Sequence, residues 1–202
     1  MFYATDTNRH GLAHDPFKAI VAPRPIGWIG SKGADGIFNL APYSFFNAVS
    51  DTPKLVMFAS SGHKHSVTNV EHSGVFTASL VSRHLVEQMN ASSAPVAHEV
   101  DEFDLAGLTA KAGELVDAPY VAEAYAALEC RVTQIIRPIG VDGAEAETWV
   151  VFGQVVGIHL DEAVIEDGRI DMARARPIAR MGYRDYCDGG TDVFQLTRPG
   201  QR

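Results

Sequence analysis

The sequence predicts a mainly β fold, an antiparallel sheet or closed barrel with a few helices outside it. Three observations lead there. Apolar runs of strand length dominate the chain, notably Lys54–Ser60, Val75–Val81, Ala127–Ile139 and Trp149–Leu160. Their connections are hairpin-like rather than spaced as repeating βαβ units. No G-x-G-x-x-G follows a strand, which disfavours a dinucleotide-binding doubly wound fold.

Taken in order, residues 1–18 read as an irregular arm ending in Asp15-Pro16. Arg24–Ser31 forms one strand, and Lys32–Gly36 carries the turn residues that lead into a second strand over Ile37–Leu40. Lys54–Ser60 is a compact apolar run that suits a buried strand. Ser66 can cap a short helix ending at His72, with Gly74 placed to stop it. Val75–Val81 is a further strand, and Arg83–Asn90 has helical spacing with Leu85, Val86 and Met89 on one side. Residues 91–125 are mixed, because Pro95 and Pro119 limit any long element. Ala127–Ile139 and Trp149–Leu160 then pair through the acidic turn Val141–Glu147, and the tail from Gly189 is loosely held.

Bulk composition narrows the function classes. At 202 residues the chain suits one domain, with a core over about 16–187 and arms at 1–15 and 188–202. A net charge of −8, with scattered lysines and arginines, argues against a nucleic-acid partner and an anionic membrane surface. No run approaches the roughly 20 apolar residues that span a bilayer, and the N-terminus lacks the basic start and apolar run of a signal peptide. Cys130 and Cys187 are far apart and form no CxxC, so a reduced, cytoplasmic setting is expected. His63, His65 and His72 form no HxxxH or HExxH, and no metal site is expected.

The chemistry concentrates in Ser60-Ser-Gly-His-Lys-His-Ser-Val-Thr-Asn69, where a buried strand ends in two hydroxyls, a glycine and a lysine and then enters a helix. Helix N-termini leave backbone N–H groups unpaired and carry partial positive charge, which suits a phosphate. Lys64 adds a full charge and Ser60, Ser61 and Ser66 add hydroxyls. The same residues also suit an ordinary strand–turn–helix with a solvated lysine, and at this level both readings stand. Upstream, Asn39, Ser44 and Asn47 place polar groups beside Tyr43, Phe45 and Phe46. That mixture fits the wall of a planar heterocycle, or simply a core strand.

Together these segments resemble the flavin reductase-like proteins with an FMN-binding split β-barrel. The matching text is Arg24-Pro-Ile-Gly-Trp-Ile-Gly-Ser31, Asp35-Gly36, Asn39-Leu-Ala-Pro-Tyr-Ser-Phe-Phe-Asn47, Pro53, Ser60–Asn69 and Val75–Leu80. It continues with Asp101-Glu-Phe-Asp-Leu-Ala-Gly-Leu108 and Pro177-Ile-Ala-Arg-Met-Gly182 followed by Tyr186. The resemblance implies a six-stranded antiparallel Greek-key split barrel, homodimeric, holding FMN non-covalently near the subunit interface. It implies that Asn39, Ala41, Pro42, Tyr43, Ser44 and Phe45 line the flavin ring, and that Ser60, Ser61, Lys64, His65, Ser66 and Asn69 hold the phosphate. Arg180 and Tyr186 belong to a closing motif that faces the cofactor in the family. Two departures stand out: Tyr183 sits where many relatives have a second glycine, and His65-Ser66 replaces an acidic residue or threonine.

The activity implied is NAD(P)H-dependent flavin oxidoreduction, with hydride passing from the nicotinamide to flavin N5 and electrons going on to an acceptor such as a partner oxygenase. Arg24 and Arg180 are candidate cations for the charge of reduced flavin. No catalytic acid or base is assigned, since in such proteins the cofactor carries the chemistry. Two alternatives remain: an FMN-binding electron carrier that takes electrons from a protein donor and does not use NAD(P)H, and a barrel holding haem or another phosphate-bearing cofactor.

Overall fold

A computed structural model of the chain describes residues 1–200. The elements run α1 (Phe17–Ile20), β1 (Arg24–Pro25), β2 (Gly27–Lys32), β3 (Phe38–Tyr43), β4 (Phe46–Asp51), β5 (Lys54–Ser61) and α2 (His65–Ser73). There follow β6 (Val75–Leu80), α3 (Val86–Ala91), α4 (Glu102–Ala106), β7 (Ala110–Ala112), β8 (Pro119–Val121), β9 (Ala126–Ile136) and β10 (Thr148–Leu160). The chain closes with β11 (Ile165–Glu166), β12 (Arg169–Ile170), α5 (Met172–Ala175), β13 (Ile178–Arg180) and β14 (Tyr186–Asp188).

The main sheet has seven strands in the order β3-β2-β6-β9-β10-β5-β4, and every neighbouring pair is antiparallel. It is an open, curled half-barrel, which corrects the expected six-stranded barrel. The additional strand is β4, hidden in sequence because Phe46–Asp51 mixes aromatic, polar and small residues without alternation. The edges are β3 and β4, and the chain crosses from one to the other through Ser44-Phe45. Pro42, which cannot donate to a ladder, is tolerated because β3 is an edge.

Side chains alternate across each strand. On β2, Trp28 enters a cluster with Leu40, Met89, Phe103 and Val121 beneath α3 and α4. Its neighbour Ile29 enters the opposite cluster with Phe58, Phe76, Val70 and Val151. Each large apolar side chain buried in this way contributes about 1.5–3 kcal/mol. Gly30 is required where β2 passes β8, since a Cβ there would lie 2.1 Å from the Pro119 carbonyl oxygen.

Other boundaries shift for local reasons. The expected strand Arg24–Ser31 breaks at Ile26, and its first two residues pair with β13 rather than with the main sheet. The irregular arm expected over residues 1–18 ends inside α1, which runs from Phe17 to Ile20. Residues 91–125 hold α4 and the β7–β8 hairpin. The C-terminal arm begins after β14, and residues 201–202 of it lie outside the described residues. No helix among the described residues is long and apolar enough to cross a membrane.

Candidate functional site

Edge strand β3, the crossover that follows it, the end of β5 and the start of α2 border a cavity of about 540 Å³. That lies within the range of small-molecule sites. One wall is the end of β3 and the crossover to β4, with Asn39, Ala41, Pro42, Tyr43, Ser44 and Phe45 all reaching the cavity. A second is the end of β5 and the entry to α2, contributing Ala59, Ser61, Lys64, His65 and Ser66. The third is the segment Ser92–Val96, and Glu102 of α4 also lines the space.

Helix α2 begins at Lys64, whose extended backbone provides the first accepting carbonyl for Val67 and Thr68, at 2.9 and 3.0 Å. No side chain caps this end. Ser66, expected as the cap, instead lies inside the first turn, where its hydroxyl donates to Asn39 Oδ1 at 3.0 Å. The N–H groups of His65 and Ser66 therefore point out of the helix with no partner, beside the cavity. Lys64 forms no ion pair among the described residues, so its charge is available there as well. At the far end Gly74 adopts φ +70° and returns its N–H to the Val70 carbonyl at 2.9 Å, as the sequence predicts.

Asn39 and Glu102 join the walls. Asn39 Nδ2 and the Leu40 N–H both donate to Glu102 Oε2 at 3.0 Å. Glu102 is only 5% exposed, and its Oε1 makes no hydrogen bond among the described residues. Tyr43 is 8% exposed and its hydroxyl is buried without a partner. Burial pushes its phenol pKa up, and the Ser66 and Ser60 hydroxyls beside it offset only part of this. An uncapped helix end beside Lys64 and the Glu102 carboxylate in one cavity match a ligand carrying both a phosphate and a hydrogen-bonding edge.

The third wall is tethered at both ends. Ser92 accepts from Trp28 Nε1 and donates to the Met89 carbonyl, both at 2.9 Å. Past its other end His98 Nε2 meets Asp35 Oδ2 at 2.9 Å, and the His98 ring packs edge-on against His65 at 5.1 Å. The Ile37 N–H, together with His98, holds Asp35 below the usual carboxylate range.

Four expected residues lie apart from the cavity. Ser60 is buried on the other side of β5 and donates to the Gly62 carbonyl at 2.8 Å. Asn69 faces β2, donating to Ser31 Oγ at 3.1 Å. Arg24 is 7% exposed and spends its guanidinium on the carbonyls of Lys18, Val21 and Met181. Arg180 binds the Tyr183 carbonyl and the Tyr186 hydroxyl, with its guanidinium 4.5 Å from the Tyr186 ring centre. Sequence reasoning missed Lys18, Glu102 and Ser92–Val96. For Glu102 a signal was present, since it falls within the matched segment Asp101–Leu108. Among the described residues no group of three or more His, Cys, Asp or Glu side chains could hold a metal ion.

Known proteins share this architecture. The flavin reductase like domain matches residues 21–178. The chain belongs to this family. An uncharacterized protein of Deinococcus radiodurans is 37% identical over 192 residues, covering 89% of this chain and 82% of that protein. Among solved structures, component B of nitrilotriacetate monooxygenase from Bacillus cereus has a TM-score of 0.87 at 27% identity, covering 97% of this chain and 98% of that one. The 2-nitrobenzoate 2-nitroreductase of Pseudomonas fluorescens gives 0.85 at 26% identity, covering 99% and 97%. Both structures align with nearly the whole of this flavin reductase-like chain.

Proposed function

We propose that the cavity binds FMN non-covalently and that the protein is an NAD(P)H-dependent flavin oxidoreductase delivering electrons to a further acceptor. The observation that carries this is the uncapped N-terminus of α2, with unpaired Lys64, opening on the same cavity as the Glu102 carboxylate and the Pro42–Phe45 wall. Lys64, Ser61, Ser66 and the N–H groups of His65 and Ser66 would hold the phosphate. Pro42 and Phe45 would exclude water from the ring, while Glu102 Oε1 accepts at its polar edge. When bound, FMN supplies the hydride-accepting chemistry, and the residues named here bind and orient it.

Family membership and the likeness to a monooxygenase component and a nitroreductase support an enzymatic role. The two free cysteines, Cys130 buried and Cys187 half-buried, suit a reducing cytoplasm. We also assign the protein as a homodimer. Phe58 and Val151 point into the core, so their neighbours Met57 and Phe152, paired across β5 and β10, face outward beside the cavity walls Ala59 and Ser61. A second copy is the simplest cover for that apolar strip, and light scattering on the purified protein tests it.

The deciding experiment is spectroscopic. Purified protein should show a flavin spectrum, or acquire one with added FMN, and should bleach anaerobically with NADH or NADPH. A yellow protein unresponsive to both nicotinamides would be an electron carrier. One that neither contains nor takes up FMN would overturn the reading.

A further inference from the structure

Helix α1 has no evident reason to exist by itself. It spans four residues, none of them buried, and the Phe17 N–H at its start donates to Asp15 Oδ1 at 2.8 Å. Isolated helices this short do not persist in water. Its place is maintained from outside. The guanidinium of Arg24 donates to the carbonyls of Lys18 and Val21 on one side and of Met181, at 2.8 Å, on the other. Ala19 packs so closely on Gly182 that a Cβ there would lie 2.5 Å from its own. Arg24 is buried with carbonyls alone as partners, and its Nε has none. Burying a cation without a carboxylate is costly, and what this arrangement secures is the position of α1.

Of the four residues in α1, Lys18 alone reaches the cavity. Its ammonium lies 5.9 Å from the centre of the Phe45 ring, the same distance as the Arg24 guanidinium. Among the described residues Lys18 has no carboxylate partner. In a chain of net charge −8, an unpaired lysine whose own carbonyl is clamped in place is a directed charge. The phosphate end of the cavity is already served by Lys64 and the start of α2.

We propose that Lys18, seated by Arg24 against Phe45, forms a second oxyanion subsite that receives the carboxylate or phosphate of the molecule exchanging electrons at the site. This rests on the flavin reading above. The aromatic wall beside the cation suits a planar ligand carrying the anion, whether an aromatic carboxylate or a dinucleotide.

The test uses FMN-loaded full-length protein and follows perturbation of the flavin spectrum and the heat of binding. The probes are benzoate and NADP⁺, with benzamide as the neutral control. Lys18→Met should weaken benzoate, NADP⁺ or both at least tenfold, leave benzamide within twofold, and leave the preference for FMN over riboflavin unchanged. The anion that responds identifies the source of the charge. Arg24→Met, checked for folding by circular dichroism, should reproduce the loss although Lys18 is intact. Unchanged anion affinity in Lys18→Met overturns the proposal, as does failure of both anions to bind the parent protein. A reduced preference for FMN over riboflavin would also overturn it, by assigning Lys18 to the phosphate cradle. A protein that takes up no FMN would instead sink the flavin reading itself, and this inference with it.

Discussion

The Ser66 hydroxyl donates to Asn39 Oδ1 at 3.0 Å, tying the first turn of α2 to edge strand β3. Asn39 passes the constraint on, because its amide donates to the buried Glu102 carboxylate. One asparagine therefore ties together three sides of the cavity, β3, α2 and α4. Asn39→Ala leaves Ser66 without its acceptor and Glu102 with one donor fewer, both in buried surroundings. The expected cost is about 1–3 kcal/mol of unfolding free energy, together with weaker FMN binding. Urea denaturation measures the first, and a loss below roughly 0.5 kcal/mol would show that the three sides are held independently.

Lys64 is predicted to distinguish FMN from riboflavin. The two ligands differ only in the phosphate, so a cation at an uncapped helix end should act on one and not the other. Lys64→Ala should weaken FMN by about tenfold, as expected for one charge-assisted contact, and leave riboflavin nearly unchanged. Raising ionic strength should also narrow the gap between the two ligands in the parent protein. Equal losses for FMN and riboflavin would remove Lys64 from the phosphate site.

These two cases mark what was legible in the sequence. The strands of the hairpins β2–β3 and β9–β10 could be read from apolar runs and turn residues, because their pairing is local. The cavity walls over Asn39–Phe45 and Ser61–Ser66 were legible for the same reason, as each is a single continuous segment. What escaped depends on contacts between distant parts of the chain. Ser60 and Ser61 are adjacent and chemically alike, but strand alternation sends only Ser61 to the cavity. Arg24 looked like a free cation until its guanidinium met the Met181 carbonyl, 157 positions away. Lys18 had no pattern of its own, since its place depends wholly on that clamp.

Glu129 supports a pH-dependent prediction away from the cavity. It is 1% exposed. It accepts from the N–H groups of Glu114, Leu115 and Val116 at 2.8, 2.7 and 2.9 Å and from His159, whose ring stacks on Tyr120 at 4.2 Å. Burial alone would push its pKa up, but these donors outweigh burial and leave it lowered. A lowered folded pKa means stability that is present above the unfolded value and lost as pH falls through the folded one. Glu129→Gln should therefore cost roughly 2 kcal/mol at neutral pH. The difference from the parent should shrink below about pH 4, where glutamate protonates in the unfolded chain. A gap that stays constant from pH 7 to pH 3 would mean that the carboxylate's charge contributes nothing.

Tyr183 occupies the left-handed region at φ +56°, a conformation that favours glycine. For a side chain with a Cβ that conformation costs about 1–2 kcal/mol, and Tyr183 recovers little of it, being 50% exposed. Its ring is 5.6 Å from that of His14, and its carbonyl, not its side chain, accepts from Arg180. Tyr183→Ala keeps the strain and loses the His14 contact, whereas Tyr183→Gly removes the strain at the expense of greater freedom in the unfolded chain. Glycine should therefore give the more stable variant of the two by about 1 kcal/mol, and Tyr183→Val the least stable of the three, because β-branching is most hindered at positive φ. Thermal unfolding of the three variants checks the order. If valine matched glycine, the backbone at this turn would have to relax out of the left-handed region without loss, and the Arg180–Tyr183 hydrogen bond could not be what holds it there.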